Sequence, residues 1–334
     1  MFRRGPYSRF FSVLWVPATL SVFLHAAAIA QAPLKKLRLG IAATSVGFLP
    51  LYAAYQKGYY KDEGIDLEII LMSLAAANNA FFKGEIDYTA GLTGLAAAAV
   101  RNYPAKILIF TVAKPLQSFV SRKEIKEPRD LKGKRIAGSS PGGSATILAY
   151  HALRHFGLEP GKDVVVVPIG GSGAGRLAVL EQGLVDASLL SVPENVIALQ
   201  RGYNELIFLG DIVTFPQNGF GASVQRIQQQ PDEIYRMVRA ALRGLTFVSD
   251  DANRETARDI MMKQWRVSDG KLASQMLGYL KRGLAKEAVI SPEGVQFFVD
   301  LTRETSNISQ PISAGQVVDF SFLDRARKEL RAGR

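Results

Sequence analysis

Short apolar segments alternate with helical patterns along most of the chain. Residues 37–42 alternate between apolar and polar positions, which predicts a strand. After a loop, Pro50 suits the first turn of a helix that ends near Gly58. The alternation then repeats, and the further strands that it predicts cover residues 64–71, 88–91, 106–112, 118–122, 134–138, 164–169, 187–191 and 206–209. The unbroken apolar run at 164–169 predicts a buried strand. Repeated strand–helix units of this size indicate parallel sheets flanked by helices.

The alternation of strand and helix patterns is interrupted near residues 113–118 and again near 212–222, which predicts two α/β lobes. Residues 84–93 and 183–192 echo each other, since each has a helix-ending Gly, an apolar residue, an Asp, a short strand and a small polar loop. Two lobes built alike would face each other across a cleft. From Pro231 onward the pattern is mainly helical, and its first helix carries one apolar stripe.

The N-terminus has the composition of a targeting segment. Basic residues precede an apolar stretch, residues 10–30, that Pro17 interrupts and that ends in small residues. This order is typical of a secretory signal peptide cleaved after about Ala30. A retained membrane anchor is the alternative, because about 20 apolar residues can span a bilayer. The chain has no cysteine, which excludes a lipid-modified cysteine and thiolate metal sites. We therefore expect an exported, periplasmic protein.

The formal net charge of +11 is spread along the chain. Nucleic-acid binding would require a basic face with aromatic side chains on which bases stack. The sequence shows neither pattern, and export also argues against that function. We expect no nucleic-acid partner.

Residues 138–142 read Gly-Ser-Ser-Pro-Gly, which is the G-x-S-x-G pattern around the nucleophile of α/β-hydrolases. A nucleophilic Ser140 would need a histidine base. His151 and His155 fall on the helix that this turn opens, up to roughly 15 Å from its start at about 1.5 Å per residue. Neither can complete a triad, so no catalytic residue is predicted. An exported serine hydrolase that uses Ser140 is kept as the alternative from another class.

No metal or cofactor site is predicted. His151 and His155 have the i, i+4 spacing of helical zinc ligands, but the glutamate of H-E-x-x-H and a third ligand are missing. The glycine loop at residues 170–175 lacks the full spacing of a dinucleotide-binding turn.

Four loops rich in glycine and hydroxyl side chains are predicted between the carboxyl end of a strand and the start of a helix. Free backbone N–H groups and the helix dipole bind an oxyanion at such a place without a charged side chain. Ser and Gly are also ordinary helix caps, so one such loop carries little weight. Four of them at the edge where open α/β sheets bind ligands favour a binding site. The loops contain residues 45–47, 92–94, 139–144 and 172–173.

Residues 47–68 read GFLPLYAAYQKGYYKDEGIDLE. They resemble the opening of the nitrate/sulfonate/taurine group of ABC-transporter solute-binding proteins, which also includes binders of thiamine pyrimidine precursors. Further similar elements are residues 84–87 (GEID), 130–134 (DLKGK) and 183–186 (GLVD). The resemblance covers roughly residues 36–250.

The resemblance implies a two-lobed periplasmic-binding-protein fold of type II, in which each lobe is a mostly parallel α/β sheet flanked by helices and the C-terminal region is helical. One lobe would hold residues 33–114 and 222–334, and the other residues 117–215, with hinge segments near 113–118 and 212–222. It also implies that the lobes close on a small-molecule ligand and deliver it to an ABC permease and its ATPase. We expect a monomer without a cofactor.

Carried onto this sequence, the resemblance implies a pocket built mainly from loops at helix starts. The predicted ligand-binding residues are Ser45, Val46, Gly47, Leu92, Thr93, Ser140, Gly142, Gly143, Ser144, Ser172, Arg176 and Pro193. Phe48 and Tyr52 fit an aromatic wall of the pocket, or equally the core or the surface of a helix.

The charge of the ligand stays open at this point. Arg176 fits either a cation for an anionic ligand or a solvated helix residue. Glu194 fits either a partner for a donor or cationic group, or a first-turn acid. The first hypothesis is a small organic anion, sulfonate, carboxylate or nitrate. The second is a neutral or heterocyclic ligand such as a thiamine pyrimidine precursor.

Overall fold

The computed structural model describes residues 1–2, 33–41, 45–139, 144–169 and 173–332. Leu34–Arg334 forms one compact unit, and Met1–Pro33 forms another. The predicted signal peptide falls almost entirely outside the described residues. Within the described ranges, no helix combines the length and the apolar character needed to cross a membrane.

The described residues form two sheets of five strands each. The strands are β1 (Lys35–Ile41), β2 (Ile65–Leu71), β3 (Tyr88–Thr89), β4 (Ala105–Val112), β5 (Gln117–Ser121), β6 (Arg135–Gly138), β7 (Val165–Pro168), β8 (Ala187–Ser191), β9 (Asn204–Phe208) and β10 (Gln217–Ser223).

The two sheets share one topology. Their strand orders are β2-β1-β3-β10-β4 and β7-β6-β8-β5-β9. In the first sheet, β1 pairs parallel with β2 and β3, whereas β10 pairs antiparallel with β3 and β4. In the second, β6 pairs parallel with β7 and β8, whereas β5 pairs antiparallel with β8 and β9. The predicted mostly parallel sheets are therefore confirmed, with one reversed strand in each.

The reversed strands are those with which the chain crosses between the sheets. β5 follows β4 of the first sheet, and β10 follows β9 of the second. β10 belongs to the first sheet, although the predicted hinge at 212–222 covers most of it. The boundaries proposed for the two lobes stay predictions.

The sequence echo has a physical basis in one repeated hydrogen-bond pattern. Asp87 Oδ2 accepts from the backbone N–H of Arg38 at 2.7 Å, and Asp186 Oδ2 accepts from the backbone N–H of Arg135 at 2.9 Å. In each case the aspartate N–H also donates back to the carbonyl of the same arginine. Each aspartate thus ties the start of β3 or β8 to the neighbouring strand, β1 or β6.

Helices cover the sheets and make up most of the C-terminal region. They are α1 (Leu49–Gln56), α2 (Tyr59–Asp62), α3 (Leu74–Phe82), α4 (Leu92–Ala99), α5 (Ser144–His155), α6 (Gly173–Glu181), α7 (Glu194–Gln200), α8 (Val224–Gln229), α9 (Pro231–Ser249), α10 (Arg254–Trp265), α11 (Gly270–Gly283), α12 (Pro292–Thr305), α13 (Ala314–Val317) and α14 (Ser321–Ala332).

Helix α9 is the longest element of the core beside the first sheet. Its apolar stripe, which includes Ile234, Val238 and Leu245, is fully buried as the helical period predicts. Gly244 lets α9 approach α1 closely, because a Cβ at this position would lie 2.2 Å from the carbonyl oxygen of Pro50.

The prediction of a buried strand over residues 164–169 is wrong in one respect. The strand exists as β7, but it lies at the edge of its sheet and pairs only with β6. Val165 is 56% exposed as a result. An unbroken run of valines is equally compatible with an edge strand, because apolar composition does not report the number of neighbouring strands.

Candidate functional site

A cavity of about 410 Å³ is lined by residues from both sheets. This volume is in the range of sites that bind small molecules. The lining residues are Ser45, Phe48, Ala90, Leu92, Thr93, Gln117, Gly173, Ser191, Val192, Pro193, Glu194, Phe215, Pro216, Gln217, Asn218 and Phe298.

The topology explains why these residues meet. Ser45, Ala90 and Ser191 come at or shortly after the carboxyl ends of β1, β3 and β8. Gln117 and Gln217 begin the reversed strands β5 and β10, and an antiparallel strand starts at the edge where its neighbours end. The cavity therefore occupies the edge at which open α/β sheets bind ligands.

Four of the predicted ligand-binding residues line the cavity, namely Ser45, Leu92, Thr93 and Pro193. Val46 and Gly47, the next two residues of the chain, are buried and are not among the residues that line the cavity. Ser144 begins α5, and nothing is described of its side chain. Ser140, Gly142, Gly143 and Ser172 lie outside the described residues.

The turn after β1 uses part of its hydrogen-bonding capacity internally. The Ser45 hydroxyl oxygen accepts from the N–H of Gly47 at 3.2 Å, and the Ser45 carbonyl accepts from Phe48 at 3.1 Å. The expectation that free amides at this loop bind the ligand is therefore wrong for these two N–H groups. The Ser45 hydroxyl still has its own hydrogen to donate into the cavity.

The start of α4 retains donors that no side chain caps. Its N-cap residue is Gly91, which has no side-chain capping group, and its own N–H donates to Thr89 Oγ1 at 3.1 Å. The first-turn N–H groups of a helix have no intrahelical acceptor. Leu92 and Thr93 form this turn and line the cavity, and the binding of a ligand by their N–H groups stays a prediction.

Sequence reasoning missed the carboxamide side chains. Gln117, Gln217 and Asn218 all line the cavity. The Gln117 Oε1 atom is buried and has no hydrogen-bond partner among the residues that the structure describes. A buried acceptor without a partner is costly, so a ligand donor at this position would relieve the cost.

Glu194 brings a negative charge to the wall. It is the first residue of α7 and follows the cis Val192–Pro193 peptide bond. Burial raises the pKa of the Glu194 carboxyl, while a hydrogen bond to its own backbone and the charge of Arg176 lower it less strongly. A Cβ on Gly173 would lie 2.8 Å from the Glu194 carboxyl carbon, so the missing side chain leaves room for the carboxylate.

Arg176 is not among the lining residues. It is 6% exposed, and its Nε donates to the carbonyl of Leu189 at 3.0 Å. The alternative of a solvated helix residue is wrong, since the side chain is buried. Burial lowers the pKa of Arg176, and the nearby Glu194 partly opposes that effect. Arg176 therefore lies outside the lining, near enough to Glu194 for the two charges to interact.

The aromatic wall has two members that the sequence did not reveal. Phe48 lines the cavity together with Phe215 and Phe298, whose rings lie 5.4 Å apart. Phe298 comes from α12 in the C-terminal region. Tyr52, the other aromatic residue considered for the wall, packs edge-on against Trp265, with their ring centroids 5.6 Å apart. Tyr52 therefore packs against the core, which was one of the alternatives for this residue.

The two histidines of α5 do not form part of a metal cluster in the described structure. His151 lies 5.9 Å from the ring of Phe297, and His155 lies 5.9 Å from that of Phe156. Burial, then the charges of His155 and Arg154, lower the pKa of His151. Across the described ranges, no group of three or more His, Cys, Asp or Glu side chains could hold a metal ion.

A family model described as NMT1/THI5 like matches residues 45–254, which is more than half of the chain. Among curated proteins, the chain is 26% identical over 262 residues to the riboflavin-binding protein RibY of Chloroflexus aurantiacus. That match covers 74% of this chain and 72% of RibY.

Solved structures share the fold at low identity. The putative periplasmic sulfonate-binding protein SsuA of Methylobacillus flagellatus matches with a TM-score of 0.73 and 19% identity, covering 89% of this chain and 95% of that one. The periplasmic nitrate-binding protein NrtA of Synechocystis matches with a TM-score of 0.70 and 17% identity, covering 90% of each chain. The fold is thus that of periplasmic binding proteins.

The same fold also occurs in an enzyme. The desulfurization enzyme DSZB matches with a TM-score of 0.66 and 18% identity, covering 90% of this chain and all of that one (100%). The fold alone therefore does not separate binding from catalysis.

Proposed function

The chain belongs to the NMT1/THI5-like family, and from this premise we propose that it is the solute-binding component of an ABC importer. The resemblance seen in residues 47–68 agrees with that membership. The observation that carries the proposal is a cavity to which both sheets contribute the ends of their strands. A solute held there would touch both lobes at once.

The double crossing of the chain supports a closing motion. Among the described strands, the connections from β4 to β5 and from β9 to β10 carry the chain from one sheet to the other and back. Rotation at such short connections changes the distance between the lobes while each sheet stays intact. The closed form would then be recognised by a permease with its ATPase, on the periplasmic side of the inner membrane. The protein would act as a monomer.

The relatives bind solutes of different charge, as their names state: sulfonate, nitrate and riboflavin. A small organic anion was the first hypothesis, and an uncharged heterocycle the second. Hydroxyl, carboxamide and first-turn N–H groups around this cavity can serve either ligand through hydrogen bonds.

Catalysis is the second candidate function, and the likeness to DSZB is the observation that favours it. We propose that the protein is not an enzyme. Hydroxyl groups and the Glu194 carboxylate line the cavity, but the described lining holds no histidine, lysine or cysteine, so a hydroxyl nucleophile there lacks the histidine base of a serine-hydrolase triad. Ester hydrolysis by the purified protein that is abolished by Ser140→Ala would support the hydrolase instead.

A thermal-shift screen followed by calorimetry tests the proposal. The panel should contain nitrate, bicarbonate, short sulfonates and carboxylates, pyrimidines and riboflavin. Binding of one solute raises the unfolding temperature, because the ligand binds the native state alone. Absence of binding across the panel, together with turnover of an ester, would reject the proposal.

A further inference from the structure

We propose that Glu194 is the residue that sets the charge selectivity of the cavity: it repels small anions and accepts a hydrogen bond from an N–H, O–H or ammonium group of the solute. This inference rests on the proposed function, since it assumes that the cavity binds a solute. It departs from the first hypothesis of an anionic ligand.

The position of Glu194 places its carboxylate at the cavity. Glu194 and Gly173 both line it, and the glycine provides the space that the carboxylate occupies. Any side chain at 173 would meet the carboxylate, since even a Cβ would lie 2.8 Å from Glu194 Oε2. The first residues of α6 and α7, Gly173 and Glu194, therefore lie side by side at the cavity.

The described lining contains no cationic side chain, and the positive charge that acts on Glu194 comes from Arg176, outside the lining. All of its other members are apolar residues, hydroxyl residues or carboxamides. Arg176 is the nearby base, but it is buried and its Nε donates to the Leu189 carbonyl. An anion in the cavity would therefore meet the carboxylate directly, in surroundings that screen charge less well than bulk water.

A second acceptor points to the same ligand chemistry. Gln117 Oε1 is buried, lines the same cavity and has no partner within the described structure. A carboxamide can rotate to present its NH₂ group instead, whereas a carboxylate can only accept. Glu194 thus makes the cavity prefer a solute that donates hydrogen bonds or carries a positive charge. Gln117 can accept a further hydrogen bond from the same solute.

The test compares the wild type with Glu194→Gln, which keeps the size and removes the charge. Glu124→Gln is the matched control, because Glu124 is an exposed acid beyond the far end of β5 and alters the net charge equally. Nitrate and ethanesulfonate are titrated into each protein by calorimetry. We expect Glu194→Gln to bind at least one of these anions about tenfold more tightly than the wild type, and Glu124→Gln to match the wild type.

Equal affinity of the wild type and Glu194→Gln for both anions, including no detectable binding by either, overturns the assignment of Glu194. A circular-dichroism melt of each variant excludes unfolding as the cause. The panel screen of the wild type judges the proposed function separately. If the wild type binds a panel solute but Glu194→Gln gains no anion binding, the function stands and the inference fails.

Discussion

The carboxamide of Asn218 lies directly against the Cα of Gly47. A Cβ on Gly47 would be 2.1 Å from Asn218 Oδ1, far inside any allowed contact. Asn218 lines the cavity from the start of β10, whereas Gly47 belongs to the turn after β1. The missing side chain of Gly47 therefore leaves room for the Asn218 carboxamide. The N–H of Gly47 itself donates to the Ser45 hydroxyl oxygen.

Gly47→Ala should displace the Asn218 carboxamide and weaken solute binding about tenfold. The side chain can rotate away, so we expect the protein to lose only about 1 kcal/mol of unfolding free energy. Calorimetry with the solute found in the panel screen measures the first effect, and thermal melting measures the second. Gly278→Ala is the control, because a Cβ there meets nothing within 4 Å. It should leave affinity unchanged, and an equal loss of affinity in both variants would contradict this account.

Asn218 combines a polar group in the cavity with a left-handed backbone, at a φ of 50°. Asn218→Gly keeps that backbone accessible and removes only the carboxamide, whereas Asn218→Ala adds strain of about 1 kcal/mol. We expect both variants to lose affinity equally, while denaturant unfolding shows Asn218→Ala to be the less stable. Wild-type affinity in Asn218→Gly would show that the carboxamide does not contact the solute.

Glu194 should make the protein less stable as the pH rises. Burial raises its pKa above the ordinary value of about 4.3. A raised carboxyl pKa means that the folded state favours the protonated form, so stability is highest below the ordinary pKa and falls as the pH passes through the raised one. Glu194→Gln should therefore melt at a higher temperature than the wild type at pH 7, with the difference vanishing near pH 4. A lower melting temperature at pH 7 would contradict this prediction.

Glu233 should show the opposite dependence. Its carboxylate is 2% exposed and lies 2.7 Å from Tyr88 Oη, Arg226 Nε and Lys35 Nζ. Burial raises the pKa of Glu233, but the hydrogen bonds from these three groups outweigh burial and hold the pKa below its ordinary value. The stabilisation is then present above the ordinary pKa and is lost as the pH falls through the lowered one.

Glu233→Gln should cost about 2 kcal/mol at pH 7, because the buried carboxylate loses its charge-assisted hydrogen bonds with Arg226 and Lys35. Urea unfolding at pH 7 and near pH 4 measures the cost and its expected decrease in acid. Glu255→Gln, which removes an exposed ion pair with Arg258, should change the unfolding free energy by less than about 1 kcal/mol. A similar cost in both variants would contradict the role assigned to the Glu233 network.

The parts of the fold that follow from local pattern could be predicted from sequence. The strand–helix rhythm and the two echoing aspartates, Asp87 and Asp186, depend on residues close together in the chain, and both reappear in the sheets. The exposure of Val165 could not be predicted, because it depends on which strand pairs on the other side.

The same distinction applies to the candidate site. Ser45 and Thr93 belong to loops that are predicted at the ends of strands, whereas Pro193 is implied by the family resemblance, and all three line the cavity. Gln117 and Asn218 lie at the starts of strands that are antiparallel to their neighbours. No local feature of the sequence distinguishes an antiparallel strand from a parallel one. Phe298 reaches the cavity from α12, through tertiary packing that its helical pattern does not encode.

The central claim is that one small solute binds in the cavity shared by the two sheets, and calorimetry of Thr93→Trp tests it most directly. Thr93 is exposed at the start of α4 and lines the cavity, so an indole can occupy the space without disturbing the core. The wild type should bind a panel solute at one site per chain, and Thr93→Trp should lose that binding at an unchanged melting temperature. Undiminished binding by a folded Thr93→Trp protein would contradict the account.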